Sequence, residues 1–577
     1  MFTNLMIVHR TITTPTNRAK VAVKSEYYYR ICLNCNLFCT IPNVDQPFIF
    51  SQKGAILAHD MESKEHLLEY ARRDDFKVGR ASELSGKDRV LYRCLEILPG
   101  LASWSTLIGV VLASIYAPFF AAYFIIAFAT FWVLKTAFLS YHLRHNWKRL
   151  RHHMTLNWGE LIERFEYGHL YQVVTLPFYR EPLEVIDATL QSLLNVNYDK
   201  KNIIVVLAGE ERAGEEAKQI AAAMKAKYQE HFANFLVTIH PQDVPGEMAG
   251  KGSNVTYAIE EVRTKILDPH GIRYNHVLVS NFDIDTVLYP DYFNCLVWHF
   301  MTAEQPLKSS FQPVPVFNNN LWEAGPLSRV VAMSSTFWEM IQQERPERMA
   351  TFSSHSVSFK ALYEIGYWQS NMVSEDSRIY WNLMIANNGK YNVIPLSYPV
   401  SMDANVASSF FGTLKNIYLQ HRRWTYGVEN FCYIVYHFTK NKNIPLRRRM
   451  VVTLQQAEGY WSLVTNPIML FILGWAPLFF GGRVFHETVL SYNLPIVVRN
   501  LLILAMFGLV ISSIISLTLL PKRPEKKTKG GYIVMAVQWI LVPITMIVFS
   551  AIPGLDAQTR LMFGRYMGFW VTPKSRS

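Results

Sequence analysis

The sequence predicts an α/β domain inserted between transmembrane and interfacial helices, and three observations carry that reading. Long apolar blocks stand on both sides of a polar middle in a chain of 577 residues, and such blocks cross a bilayer at about 20 residues per helix. Within the middle, short apolar runs alternate with amphipathic ones, the pattern of strands joined by helical crossovers. One such run, "HVLVSNFDIDTVLYP" (276–290), ends in Asp283 and Asp285 with one residue between them.

Taken in chain order, residues 1–60 show no sustained periodicity and stay unassigned, a disordered segment or a gene-model extension with Met61 as an alternative start. Cys32, Cys35 and Cys39 are close enough to raise zinc, but no fourth ligand lies nearby. Six cysteines in all are too few and too scattered for a disulfide framework. "MESKEHLLEYARRDDF" opens a charged, helix-like cytoplasmic segment over 61–98. The nearly charge-free block 99–142 fits two crossings that turn near Pro118. Blocks near 460–481, 499–520 and 531–552 fit one each, about five crossings in total. A composition of 50% hydrophobic and 14% aromatic residues agrees with an integral membrane protein. The net charge of +12 is concentrated beside the apolar blocks, as in "YHLRHNWKRLRHH" (141–153) and "PKRPEKKTKG" (521–530). That placement favours membrane lipids over nucleic acid and puts the polar middle on the cytoplasmic side of an inner or plasma membrane.

The middle, 165–428, supplies strands at 171–179, 202–210, 235–241 and 276–282, with helices at 182–196 and 215–232. Crossovers of this length imply parallel pairing, with ligands bound beyond the strands' carboxyl ends. Tyr179, Glu181, Glu210, Asp283 and Asp285 all fall at such ends. If strand alternation continues, Asp283 and Asp285 share one face, where a hard cation such as Mg2+ or Mn2+ offsets their repulsion; a solvated turn is the alternative. "SEDSRIYW" (374–381) sets Glu375 beside Asp376, otherwise an ordinary acidic helix start. "QHRRW" (420–424) supplies Gln420, Arg423 and Trp424, otherwise an interface anchor.

In this order, these residues resemble the membrane-integrated family 2 glycosyltransferases, the group that contains bacterial cellulose synthase and hyaluronan synthase. "KGSNVTYAI" (251–259) is similar to that group's K-A-G-N-L-N-Y-A-L segment at Lys251, Asn254, Tyr257 and Ala258, and "FWVTPK" (569–574) to its F-x-V-T-x-K gating motif. The resemblance implies a GT-A (Rossmann-like) cytoplasmic glycosyltransferase domain. It implies Asp376 as the base, oriented by Glu375, and Mg2+ or Mn2+ held by Asp283 and Asp285. Donor contacts would come from Thr175, Pro177, Tyr179, Glu181, Glu210, Lys251, Asp283 and Arg423. Trp424, Gln420 and His355 would meet the acceptor, and Thr572 and Lys574 would gate. The implied partners are a nucleotide-sugar donor, a UDP-sugar first, and a glycan or lipid acceptor. The implied activity is inverting, processive synthesis of a β-linked polysaccharide with translocation. Non-processive glycosylation of a lipid is the nearer alternative, and a catalytically inactive nucleotide-sugar sensor or scaffold the more distant one.

The tail carries a conflict. Three crossings after the catalytic part would leave Thr572 outside, whereas Arg560, Arg565, Lys574 and Arg576 favour the inside. Because Pro543 interrupts the 531–552 block, that block is expected to lie in the interface or to re-enter without crossing. Residues 429–577 are then interfacial and membrane helices with a basic tail.

Overall fold

The structure, a computed structural model, describes residues 67–522 and 530–572. The zinc question at Cys32, Cys35 and Cys39 and the gating expectation at Lys574 therefore lie outside the described residues. One sheet of eight strands organises the α/β domain. The strands are β1 (Tyr171–Pro177), β2 (Ile203–Glu210), β3 (Asn234–His240), β4 (Val277–Asn281), β5 (Val287–Leu288), β6 (Ser309–Val316), β7 (Ser356–Ser358) and β8 (Asn392–Ser401). Their order across the sheet is β3-β2-β1-β4-β7-β6-β8-β5.

The first four strands are parallel, with Val174 opposite Val205 and Thr175 opposite Asn281. β7 runs antiparallel to β4 and β6, and β5 antiparallel to β8, so the sheet is mixed. β1 and β2 read as unbroken apolar runs because both faces are covered. Val173, Ile204 and Val206 feed one core, and Val174, Val205 and Leu207 feed the other. Each such side chain contributes about 1.5–3 kcal/mol on burial, which fixes the register and so places every strand end.

The helices used below are α1 (Gly86–Tyr116), α2 (Pro118–His153), α3 (Leu183–Leu194), α4 (Glu215–Tyr228), α5 (Lys251–Val262), α6 (Pro326–Gln343), α7 (Glu375–Ala386), α8 (Phe410–Thr425), α9 (Glu429–Lys440), α10 (Leu446–Phe471), α11 (Val489–Thr518) and α12 (Gly530–Met562). Residues 67–85 depart from the helix-like reading, since only single 3-10 turns form at Glu69–Arg72 and Ala81–Glu83. The cause is packing: Phe76 and Val78 insert into the domain core and hold the chain off a helical path. α1 begins at Gly86, earlier than the apolar block alone indicated.

Among the described residues four helices, α1, α2, α11 and α12, are long and apolar enough to cross a membrane. α10 followed by Leu473–Phe480, bent by 50°, makes a fifth if the pair is one span. α1 and α2 break at Ala117, just before Pro118, as the sequence predicts.

α12 passes the length test, yet it contacts the α/β domain near both ends and between them. Tyr532 meets Trp322 edge-on at 5.2 Å and Trp539 stacks on Phe337 of α6 at 5.3 Å. Further on, Asp556 accepts hydrogen bonds from Arg422 at 3.0 Å and Tyr418 at 3.2 Å, both on α8. A 3-10 turn at Gln538–Leu541 precedes Pro543, so the proline bends the run without ending it. α12 therefore touches the α/β domain near both of its ends.

Candidate active site

The carboxyl ends of β1, β2 and β4 form one rim. β4 stops at Asn281, and the Thr286 amide donates to the Asp283 carbonyl at 2.9 Å, closing a turn over 283–286. Strand alternation therefore does not place the two aspartates on one face, contrary to the sequence expectation. Asp283 is 31% exposed. Asp285 is fully buried, and one of its oxygens accepts from the Asp403 amide at 3.1 Å. Asn319 ties the same turn down, donating to the Asp285 carbonyl and to the Asp403 carboxylate at 3.0 Å each.

Lys251, first residue of α5, is the centre of the site. Its Nζ donates to Asp283 at 2.6 Å and to both oxygens of Asp376 at 3.0 and 2.9 Å. Burial alone would lower the amine; Asp283 and Asp376 outweigh it and hold Lys251 well above the usual lysine range. Two like charges 4 Å apart repel by about 4 kcal/mol at an effective dielectric near 20, so this ammonium makes the close carboxylates compatible. Asp376 sits in the first turn of α7 and also accepts from Asn281 Nδ2 at 3.2 Å. Ser353 donates to the second oxygen of Asp283 at 2.8 Å.

Glu375 is buried behind Asp376. Burial first, and then the charge of Asp376, push its carboxyl up to about 8. The helix carrying it approaches α5 at Gly252, where a Cβ would lie 2.7 Å from the Gln369 carbonyl and 3.2 Å from Glu375 Cβ. Only glycine permits that approach.

Beside this cluster, Tyr179 follows β1 with the guanidinium carbons of Arg180 and Arg212 at 4.9 and 4.6 Å from its ring centre. Glu210, last residue of β2, pairs with Arg212 at 2.5 Å, and Glu181 accepts from the Tyr179 amide at 2.6 Å. Pro177 closes β1 opposite Ala208 and offers no N–H. Thr175 is fully buried, and its hydroxyl donates to Asn281 Oδ1 at 3.1 Å. It therefore orients Asn281 from inside the sheet and is not placed to touch a donor, which corrects the sequence expectation.

The last two turns of α8 carry Gln420, Arg423 and Trp424. Trp424 lies between Phe317 at 6.1 Å and Phe352 at 5.9 Å, and Gln420 accepts from Asn405 at a long 3.5 Å. His355 does not face this side. It is fully buried, with Nδ1 2.7 Å from the Phe352 carbonyl and 3.9 Å from Asp376 Oδ1. Burial lowers the pKa of the imidazole. The ring thus backs Asp376 and does not line an acceptor path, a further correction, forced by the 3.0 Å bond that its carbonyl accepts from the Asn281 amide at the end of β4.

The chain returns to this site at its tail. Phe569 lies 4.7 Å from the Arg423 guanidinium carbon and packs so closely on Gly250 that a Cβ there would be 2.6 Å from the ring. Thr572 is buried. Four contributors escaped the sequence reading. Arg212 and Ser353 sit in loops without a pattern. Phe569 stood in the quoted tail motif without a role. Asn281 had a visible signal as a polar residue ending an apolar strand. Among the described residues, no group of three or more His, Cys, Asp or Glu converges as a metal site.

Comparison with known proteins adds one assignment. Residues 278–548 match the family model described as "Glycosyl transferase family group 2". No curated protein matches the chain. The mannosyltransferase PcManGT from Pyrobaculum calidifontis, solved with GDP-Man and Mn2+, is 12% identical at a TM-score of 0.38, covering 76% of this chain and 99% of its own. S. aureus TarS 1–349 in complex with UDP is 10% identical at a TM-score of 0.33, covering 70% of this chain and 94% of its own. Likeness at these scores carries no argument. The family match stands on its own and takes in Asp283, Asp376, Arg423 and Trp424. Residues 278–548 are thus similar to family 2 glycosyltransferases, and they lie within a mixed α/β fold flanked by helices long and apolar enough to cross a membrane.

Proposed function

We propose that this protein is an inverting glycosyltransferase that moves a sugar from a nucleotide-sugar donor to an acceptor hydroxyl and elongates a β-linked polysaccharide. One observation carries the reading. A single ammonium, Lys251, holds Asp376 and Asp283 within hydrogen-bond distance at the carboxyl ends of parallel strands. In the proposed step the acceptor oxygen bonds to the anomeric carbon as its proton passes to the Asp376 carboxylate. The bond from that carbon to the phosphate oxygen breaks, and the nucleoside diphosphate leaves. One displacement inverts the anomeric centre, and a positioned base contributes about 10²–10⁴-fold. Asn281 and Lys251 orient the carboxylate, while Arg423 supplies charge toward the departing phosphates. Tyr179, Glu181 and Glu210 hold the base and ribose, with Arg212 as an added contact, and Trp424 offers a flat face to the acceptor sugar.

The donor set for Mg2+ or Mn2+ is thinner than the sequence implied. Asp283 alone of the pair offers a partly open carboxylate, whereas Asp285 is buried against Asp403. A dication held there by Asp283 and the diphosphate oxygens would offset the leaving group's charge. The contact of Phe569 with Arg423 and Gly250, together with the burial of Thr572, supports a gating role for the tail. The four to five candidate spans among the described residues leave little room for a polymer channel, which favours single-sugar transfer to a lipid as the second reading. Membranes containing the protein, given a panel of nucleotide sugars with Mg2+ or Mn2+, test the reading by nucleotide release. Product sizing then separates polymer from singly glycosylated lipid.

A further inference from the structure

Where α2 and α11 end, they enclose a cavity of about 470 Å3 against the sheet, and of the residues placed in the site above its lining includes only Asn319. The helix side is mostly aliphatic, Leu150, Met154, Leu519 and Leu520, with Thr155, Thr518 and one cation, Arg151. The sheet side sets polar Tyr289, Asn318 and Ser401 beside Val316 and Pro399. The walls are tied together: Trp147 donates to Thr518 Oγ1 at 2.8 Å, Asn318 to the Leu519 carbonyl at 3.0 Å, and Trp322 to the Pro521 carbonyl at 3.2 Å.

Arg151 is exposed at the rim, as is Lys522 just past the end of α11. Neither has an ion-pair partner among the described residues, whereas Arg149, two residues before Arg151, pairs with Glu344. Both helices are long and apolar enough to cross a membrane, so their ends fall where lipid heads gather. A wall of aliphatic side chains, a facing wall of hydroxyl and amide oxygens and a free guanidinium at the mouth together match an anionic amphiphile. The guanidinium pairs with a phosphodiester, the oxygens accept from head hydroxyls, and the aliphatic wall takes the start of the acyl chains.

We infer that this cavity binds the head of an anionic phospholipid. Asn319 extends from its wall to the Asp285 carbonyl, so the bound lipid adjoins the turn that presents Asp283. The test uses the purified full-length protein in an uncharged detergent, titrated with dihexanoyl phosphatidylglycerol, dihexanoyl phosphatidylcholine or sodium phosphate and read by native mass spectrometry. Phosphatidylglycerol is expected to bind at least tenfold more tightly than phosphatidylcholine, with inorganic phosphate weaker than both. Arg151→Gln and Met154→Glu, both at exposed positions, should each weaken phosphatidylglycerol at least fivefold, and Arg151→Gln should leave phosphatidylcholine unchanged. Equal affinity for the two lipids, unchanged phosphatidylglycerol binding in both variants, or inorganic phosphate bound as tightly as the lipid would each overturn the inference. The readout needs no sugar transfer, so its failure is distinguishable from failure of the glycosyltransferase reading.

Discussion

Lys251 faces three carboxylates, and the consequences are specific to each. Replacing it with Met leaves Asp283 and Asp376 without their cation. Breaking a buried pair from one side costs about 3–5 kcal/mol, and the 31% exposure of Asp283 lowers that range. A fall in Tm of the detergent-purified protein checks it. Glu375 gives a pH effect with a definite sign. Its native carboxyl is raised from 4.5 to about 8, so the native state holds a proton that the unfolded chain releases first. Stability is full below about pH 4.5 and is lost as pH rises through about 8. Lys251 stays charged across that window and adds no slope. Glu375→Gln is expected to flatten the decline, measured as Tm against pH; an unchanged slope would assign the pH dependence to another group. Asp376, Lys251 and Arg423 were legible as residue types in the sequence. Thr175 and His355 were not, because burial is set by neighbours: a threonine in an apolar strand can face a ligand or the interior, and only the register with Asn281 decides.

At the scale of elements, β1, β2 and β4 fall within two residues of their sequence bounds, because apolar runs closed by polar or turn residues leave little choice. Strand direction is different, since nothing in the periodicity of a three-residue strand such as β7 states which way it runs. The turn at 283–286 was likewise hidden, and with it the burial of Asp285. The contact of α5 with α7 makes a sharper prediction. Gly252→Ala places a methyl 2.7 Å from the Gln369 carbonyl, so the helix must shift away from Glu375. Overpacking of this kind costs about 1–3 kcal/mol, and denaturant unfolding is expected to show a loss in that range together with reduced nucleotide release. Full stability with full activity would mean that the helices part without consequence.

For the whole molecule, the alternation of strands and helices gave the α/β class and the apolar blocks gave the spans, but the course of α12 needed its contacts. Tyr532, Trp539, Asp556 and Phe569 all meet the catalytic part of the chain. A reporter fused after Ser577 is therefore expected on the same side as one inserted in the exposed turn near Asp243 of the α/β domain, and opposite sides would restore a crossing. The central claim concerns what the gathered residues do. Its most direct test compares nucleotide release from the donor panel by membranes carrying the native chain and by membranes carrying Asp376→Asn. The account predicts acceptor-dependent release that falls at least 100-fold in the variant, with nucleotide binding retained. Equal release from both would contradict it.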